Sequence, residues 1–337
     1  MTATFVPTRA RGFRLGYDLR SAQNLDQALT MAGLNWGLKT IDAKSIALRE
    51  EQPNGSFGSW VQSRIPGGRL VLRNDNWDVL GVVGGIYQGV DNASSFAVAD
   101  TLHREIEGSV FDRGFELDYG RKVVLSLATP GQDIRIGDGD LDVLKIGMRF
   151  STAHDGQGKI RGKVDISRLV CTNGMTVAIP GVGHEYAIRH TTNAQERLDQ
   201  AHKIMAKSSE YVQKFAEMAR FLVNTPMTDL EYGSFIDDLF PQPHRGSRVA
   251  LNAKERRELS VWENRRAQLI NLFRRAETNE SGRGTRWAAF NSVTEMADWG
   301  TTVRQGNAGS PEEARALRQL EGVSQDIKDR AFLALAA

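Results

Sequence analysis

The chain has 337 residues, 40% of them hydrophobic and 25% charged, which excludes a disordered polymer and predicts a real core in one large domain or two lobes. A formal net charge of +2 supplies no global field that would force nucleic acid or membrane on it, so electrostatic binding has to come from a local patch. The single cysteine, Cys171, allows no intrachain disulfide, no run of about 18 apolar residues occurs, and Met1 to Arg14 lacks the apolar core of a secretory signal, so a cytosolic protein is expected.

Asn24 to Met31 carries a weak helical pattern. Trp36 to Ile41 and Ser45 to Arg49 read as a strand pair turning at Asp42-Ala43-Lys44. Pro53, Asn54 and Gly55 mark a loop. Arg69 to Arg73 and Val79 to Val83 flank Asn74-Asp75-Asn76 as a hairpin. Phe96, Ala99, Leu102 and Ile106 fall on one helical face, and Lys122 to Ala128 is a Val- and Leu-rich strand. Leu141 to Ser151 and Lys159 to Cys171 are the clearest long strands. The Asp155-Gly156 pair between them is a hairpin signal, because such a turn requires positive φ. Tyr186 to Arg189 completes the strands.

From Thr192 onward the apolar residues recur at helical spacing. Thr192 with Gln195 has the form of a capping box, and Leu198, Ala201, Met205, Val212, Phe215, Ala219 and Leu222 form a stripe. Thr228 with Glu231, Asn252, Thr285 and Ser310-Pro311 mark further helix starts, with Pro226, Pro241, Gly282 and Gly284 as breaks. The expectation is an α+β protein. A β-rich lobe, residues 1–191, has an antiparallel sheet with a long central hairpin and a backing helix, and a helical lobe, residues 192–337, follows it.

No P-loop pattern occurs, and no cofactor is expected. His154, Asp155, His184 and His190 are the candidate metal or catalytic groups, although their spacing alone does not bring ligands together. Cys171 reads as a small buried hydrophobe at a strand end. Three basic regions stand out. Arg64, Arg69 and Arg73 lie among Trp60, Trp77, Tyr87 and Phe96, a mixture that suits stacked bases and phosphates. Arg149, Lys159, Arg161, Lys163 and Arg168 lie along or near the two long strands, where period-two alternation puts Arg161 and Lys163 on one face. Lys254, Arg256, Arg257, Arg265, Arg266, Arg274 and Arg275 decorate one helix, partly offset by Glu255, Glu258 and Glu263. Each is also what a solvated, salt-bridged exterior looks like.

Several blocks together resemble a known family. They are Leu15-Gly16-Tyr17; Leu80-Gly81-Val82-Val83-Gly84 with Tyr87, Val90, Asn92 and Phe96; His154-Asp155-Gly156; Ile166 to Asn173; Ile188-Arg189-His190-Thr191; and Gly284-Thr285-Arg286-Trp287 with Asn291, Val293, Thr294 and Glu295. This pattern is similar to the phage/plasmid-like proteins grouped as domain of unknown function 932; Met175 departs from the Asn-Thr-Leu run expected after the cysteine block. The resemblance implies a mobile-element setting and an association with DNA metabolism, with no assigned chemistry. Single-stranded DNA binding or strand annealing by a ring or filament of copies in a bacterial cytosol is the reading it favours. A metal-dependent nuclease and an inhibitor of a host factor are the alternatives.

Overall fold

The computed structural model describes residues 15–42, 46–48, 55–59, 61–63, 68–136, 143–168, 174–205, 207–244, 251–300 and 308–337. Arg64, Trp60 and Cys171 lie outside them. The architecture is α+β, with strands dominating the first part and helices the second.

The main sheet is antiparallel. Its order is β1 (Tyr17–Asp18), β7 (Val110–Leu117), β8 (Lys122–Ala128), β10 (Val143–Ala153), β11 (Ile160–Arg168) and β12 (Glu185–Ile188), with β9 (Ile134–Arg135) also paired to β10. The predicted long hairpin is β10–β11, in register from Leu144 opposite Arg168 to Ser151 opposite Arg161. At its tip Gly156 has φ +80°, and the Asp155 carboxylate accepts from the Gln157 and Gly158 amides at 2.8 and 3.1 Å. The Asp-Gly signal thus acts through a side chain that substitutes for a backbone acceptor.

A smaller sheet holds β2 (Leu38–Asp42), β5 (Arg69–Arg73) and β6 (Val79–Val83), and β3 (Ile46–Leu48) pairs with β4 (Val61–Ser63). The β5–β6 hairpin is as expected, but β2 pairs with β5 rather than with the strand that follows it. The expected Asp42-to-Lys44 hairpin therefore does not form, and both of its arms take partners distant in sequence. The two sheets meet closely at Gly81, where a Cβ would lie 2.7 Å from the Asp155 backbone.

Helix α1 (Leu25–Ala32) is capped by Asn24, whose side chain accepts from Gln27. The helix expected from Phe96 to Ile106 is preceded by a separate short piece, α2 (Asn92–Ser95), before α3 (Ala97–Glu105), and together they place Phe96, Ala99 and Leu102 in the core. The second part comprises α4 (Ala194–Met205), α5 (Ser208–Asn224), α6 (Asp229–Leu239), α7 (Ala253–Arg275), α8 (Arg286–Trp299), α9 (Pro311–Leu320) and α10 (Gln325–Ala336). The stripe from Leu198 to Leu222 is shared by α4 and α5. Helix α4 starts two residues after Thr192, with Arg197 N–H donating to the Asn193 carbonyl. Thr228–Glu231 and Asn252–Glu255 both close full capping boxes, and Ser310 caps α9 with Pro311 in the first turn.

Both parts contribute to one apolar core. Phe332 of α10 stacks on Phe215 of α5 at 5.3 Å and meets Phe290 of α8 edge-on at 4.9 Å. Tyr211 of α5 donates its hydroxyl to the Val177 carbonyl at 2.7 Å, fastening the helices to the segment that leaves β11. Among the described residues no helix is long and apolar enough to cross a membrane.

Candidate functional site

Strand parity divides the cations of the long hairpin between its two faces. Arg149, Arg161 and Lys163 share the outer face, with Arg149 directly opposite Lys163 and Ser151 opposite Arg161. Arg168 has the other parity, and its side chain is buried in the core at 1% exposure, 6.0 Å from the Trp287 ring centre. It is not available to a phosphate.

Nor is the outer face an open track. The turn between α9 and α10 lies over it, held by Lys122 to Glu321, by Gln325 Nε2 donating to the Thr176 carbonyl at 2.8 Å, and by Glu313 accepting from the Asp118 amide at 3.0 Å. Arg149 is committed to Asp165 at 2.6 Å. Lys163 is half-buried; burial, and then the neighbouring Arg149 guanidinium, push its ammonium down to about 8. Arg161 is exposed, and Lys159 is half-buried just before β11. The expected phosphate-tracking sheet face is thus corrected to a roofed cavity, because α10 docks there.

The first basic region also changes character. Arg73 is buried between Asp75 at 2.8 Å and Glu116 at 2.9 Å and lies over the Trp36 ring at 4.3 Å. Arg69 pairs with Asp42 at 3.2 Å. Tyr87 and Phe96 are core residues, and Trp77 is exposed with Lys39 over its ring. The Arg73–Glu116 pair ties the small sheet to the large one and the Arg69–Asp42 pair joins two strands of the small sheet, so these groups do not form a stacking platform.

His154 and His190 come together in the core, their ring centres 6.2 Å apart, while His184 stacks separately on Tyr211 at 4.8 Å. His154 Nε2 meets Asn92 Oδ1 at 2.8 Å, and Tyr87 stacks on His190 at 5.2 Å. Burial pushes His154 down to about 3 and His190 down to about 4, so both are neutral at ordinary pH. Among the described residues no three His, Cys, Asp or Glu side chains are arranged to hold a metal ion. The pair instead fills the space behind the hairpin tip.

The third basic region keeps its cations at the surface. Helix α7 presents Lys254, Arg257, Glu258, Val261, Trp262 and Arg265 along one side, a spacing of three and four residues that one helical face requires, with Glu258 held by His244 at 2.8 Å and near Lys254 at 4.0 Å. Pro241 and Pro243, which follow α6, form the opposite wall of a cavity of about 500 Å³. Trp262 is fixed by donating its indole N–H to the Phe240 carbonyl at 2.7 Å, and Arg265 lies 5.0 Å from the Phe240 ring centre. Arg257 and Arg265 have no carboxylate partner among the described residues, whereas Arg266 is held by Asp237 at 2.7 Å and Arg274 by Asp229 at 2.9 Å. Trp262, Pro241 and Pro243 were not apparent as site residues from sequence. A lone tryptophan within a charged helix was the available signal, and its meaning depends on how the chain before α7 folds back.

Fold and surface together define an α+β protein whose antiparallel sheet is roofed by its own C-terminal helices and whose longest helix carries a cationic, aromatic-lined groove. The chain belongs to the family described as Domain of unknown function (DUF932), whose model matches residues 79–320. That span holds every sequence block noted above except Leu15-Gly16-Tyr17, and it includes both the roofed cavity's strands and the α7 groove. No curated protein and no solved structure matches the chain.

Proposed function

We propose that the chain binds single-stranded nucleic acid in the groove along α7. The observation that carries this reading is the combination of Arg257 and Arg265, free of carboxylate partners among the described residues, with Trp262, Val261 and two prolines around one open cavity. Cations neutralise the phosphates of a strand, and flat apolar walls accept unpaired bases whatever their sequence. Duplex DNA keeps its bases stacked inside and has no use for such walls, so a preference for single strands follows. Strand annealing by assembled copies, in a phage- or plasmid-borne setting within a bacterial cytosol, is the finer form of the same proposal and is motivated by the family resemblance. The test is fluorescence anisotropy of a labelled single strand and its duplex at two salt concentrations. The single strand is expected to bind more tightly and to weaken as salt rises, since binding releases counterions. Absence of binding to either form at low salt contradicts the proposal.

A further inference from the structure

The cavity beneath the α9–α10 turn has a different chemistry from the α7 groove. It measures about 210 Å³ and is walled by Arg149, Arg161, Lys163 and Glu185 on the sheet side and by Glu321, Gln325 and Asp329 on the helix side. A narrow extension of about 20 Å³ continues from Lys163 toward Lys328 and Asp298. That is small for a nucleotide and suited to a compact polar group with a water behind it.

Arg149, Arg161 and Lys163 are matched in number by Glu185, Glu321 and Asp329 around the cavity, but Arg161 and Lys163 have no direct ion-pair partner among the described residues. Arg149 and Lys163 are directly opposed across β10 and β11, and like charges in that relation repel. The acids nearby make their direct contacts with groups other than Lys163 and Arg161. Asp165 is taken by Arg149, Glu321 by Lys122, and Asp329 accepts from the Ala178 amide at 2.9 Å and from Gln325 at 2.8 Å. Glu185 stands across from Lys163 on β12 but forms no ion pair with it. Lys163 makes no hydrogen bond or ion pair among the described residues, although it sits under the roof. A half-buried ammonium without an acceptor is costly, and an entering anion relieves that cost.

We infer that this cavity is a binding site for a small oxyanion, a phosphate or carboxylate group, held by Lys163 and Arg161. The depressed proton affinity of Lys163 agrees with it, since an anion at the ammonium would restore the charged form. The site is separate from the α7 groove and does not depend on nucleic-acid binding there.

Isothermal titration of the full chain with inorganic phosphate, and separately with acetate, at constant ionic strength tests it. Saturable binding of phosphate assigns a phosphate ligand, and of acetate a carboxylate. Lys163→Met, which places an apolar side chain at a half-buried position, and Arg161→Gln, at an exposed one, are both expected to fold and to weaken binding about tenfold. Glu185→Gln is expected to tighten it by removing the competing charge. Absence of binding by either anion, or equal affinity in the wild type and Lys163→Met, overturns the assignment.

Discussion

Lys328 on α10 holds its ammonium 2.6 Å from the Asp298 carboxylate of α8, and both side chains are almost wholly out of water. The same pair grips the chain after β11, since Lys328 donates to the Gly174 carbonyl at 3.0 Å and Asp298 accepts from the Gly174 amide at 3.1 Å. Three segments far apart in sequence are thereby clamped where the helical roof meets the sheet. Removing one partner leaves an uncompensated buried charge. Lys328→Met is therefore expected to cost about 3–5 kcal/mol of stability. The double variant Lys328→Met/Asp298→Leu is expected to recover part of that loss, since no charge is left unpaired but the Gly174 amide and carbonyl lose their partners. Urea unfolding of the three proteins checks both, and a single variant as stable as the wild type would show that the pair does not act as a clamp.

The buried histidine pair sets a pH dependence. His154 and His190 are held neutral in the fold at about 3 and about 4, against an unfolded value of about 6.5. Protons therefore favour the unfolded chain. The contribution is fully present above about pH 6.5 and is lost as pH falls below that value. Between about pH 7 and pH 5 each histidine is expected to remove about 2 kcal/mol. Unfolding titrations at the two pH values, on the wild type and on His190→Gln, measure it. The variant should show a shallower loss, and identical pH slopes would contradict the assignment.

Gly81 is where the small sheet passes the hairpin tip. A methyl group there meets the Asp155 carbonyl carbon and oxygen at 2.7 Å, and these are backbone atoms that cannot rotate away. Gly81→Ala is expected to cost about 1–3 kcal/mol by forcing the sheets apart. Gly84→Ala, with nothing within 4 Å of its added carbon, is the control and should change little. Thermal denaturation of both separates the packing effect from any general intolerance of alanine.

Much of this architecture is legible in the residues, for local reasons. Asp155-Gly156 dictates its turn through one side chain and one positive φ, and the Thr228 and Asn252 caps act within four residues of themselves. What escapes the sequence is either irregular or distant. Strand β7 was not apparent because its register shifts between Phe111 and Arg113, which breaks the period of two. The partner of β2 is β5, across a stretch that no local pattern spans. Arg161 and Lys163 do share a face, yet alternation cannot say that α10 will cover it. Arg168, grouped from sequence with the exposed cations, has even parity with Val164 and Ile166, both fully buried, and that alternation was the signal that sets it apart. For the α7 groove, the cations could be read from composition. Their freedom from partners could not, because it depends on Asp237 and Asp229 taking Arg266 and Arg274 and sparing Arg257 and Arg265.

If the proposed function holds, nucleic acid binds at the α7 groove and not at the Arg69 or Arg161 regions. The most direct measurement is the affinity of Arg257→Glu/Arg265→Glu for a labelled single strand, set beside Arg69→Glu and the wild type at one low salt concentration. Both substituted arginines lack carboxylate partners among the described residues, and although Arg265 loses its contact with the Phe240 ring, the fold should be retained while affinity falls by about tenfold or more. Arg69→Glu, which breaks a pair with Asp42, should leave affinity within about twofold of the wild type. If the double variant binds as the wild type does, the groove is an ordinary solvated surface and the proposed nucleic-acid site is wrong.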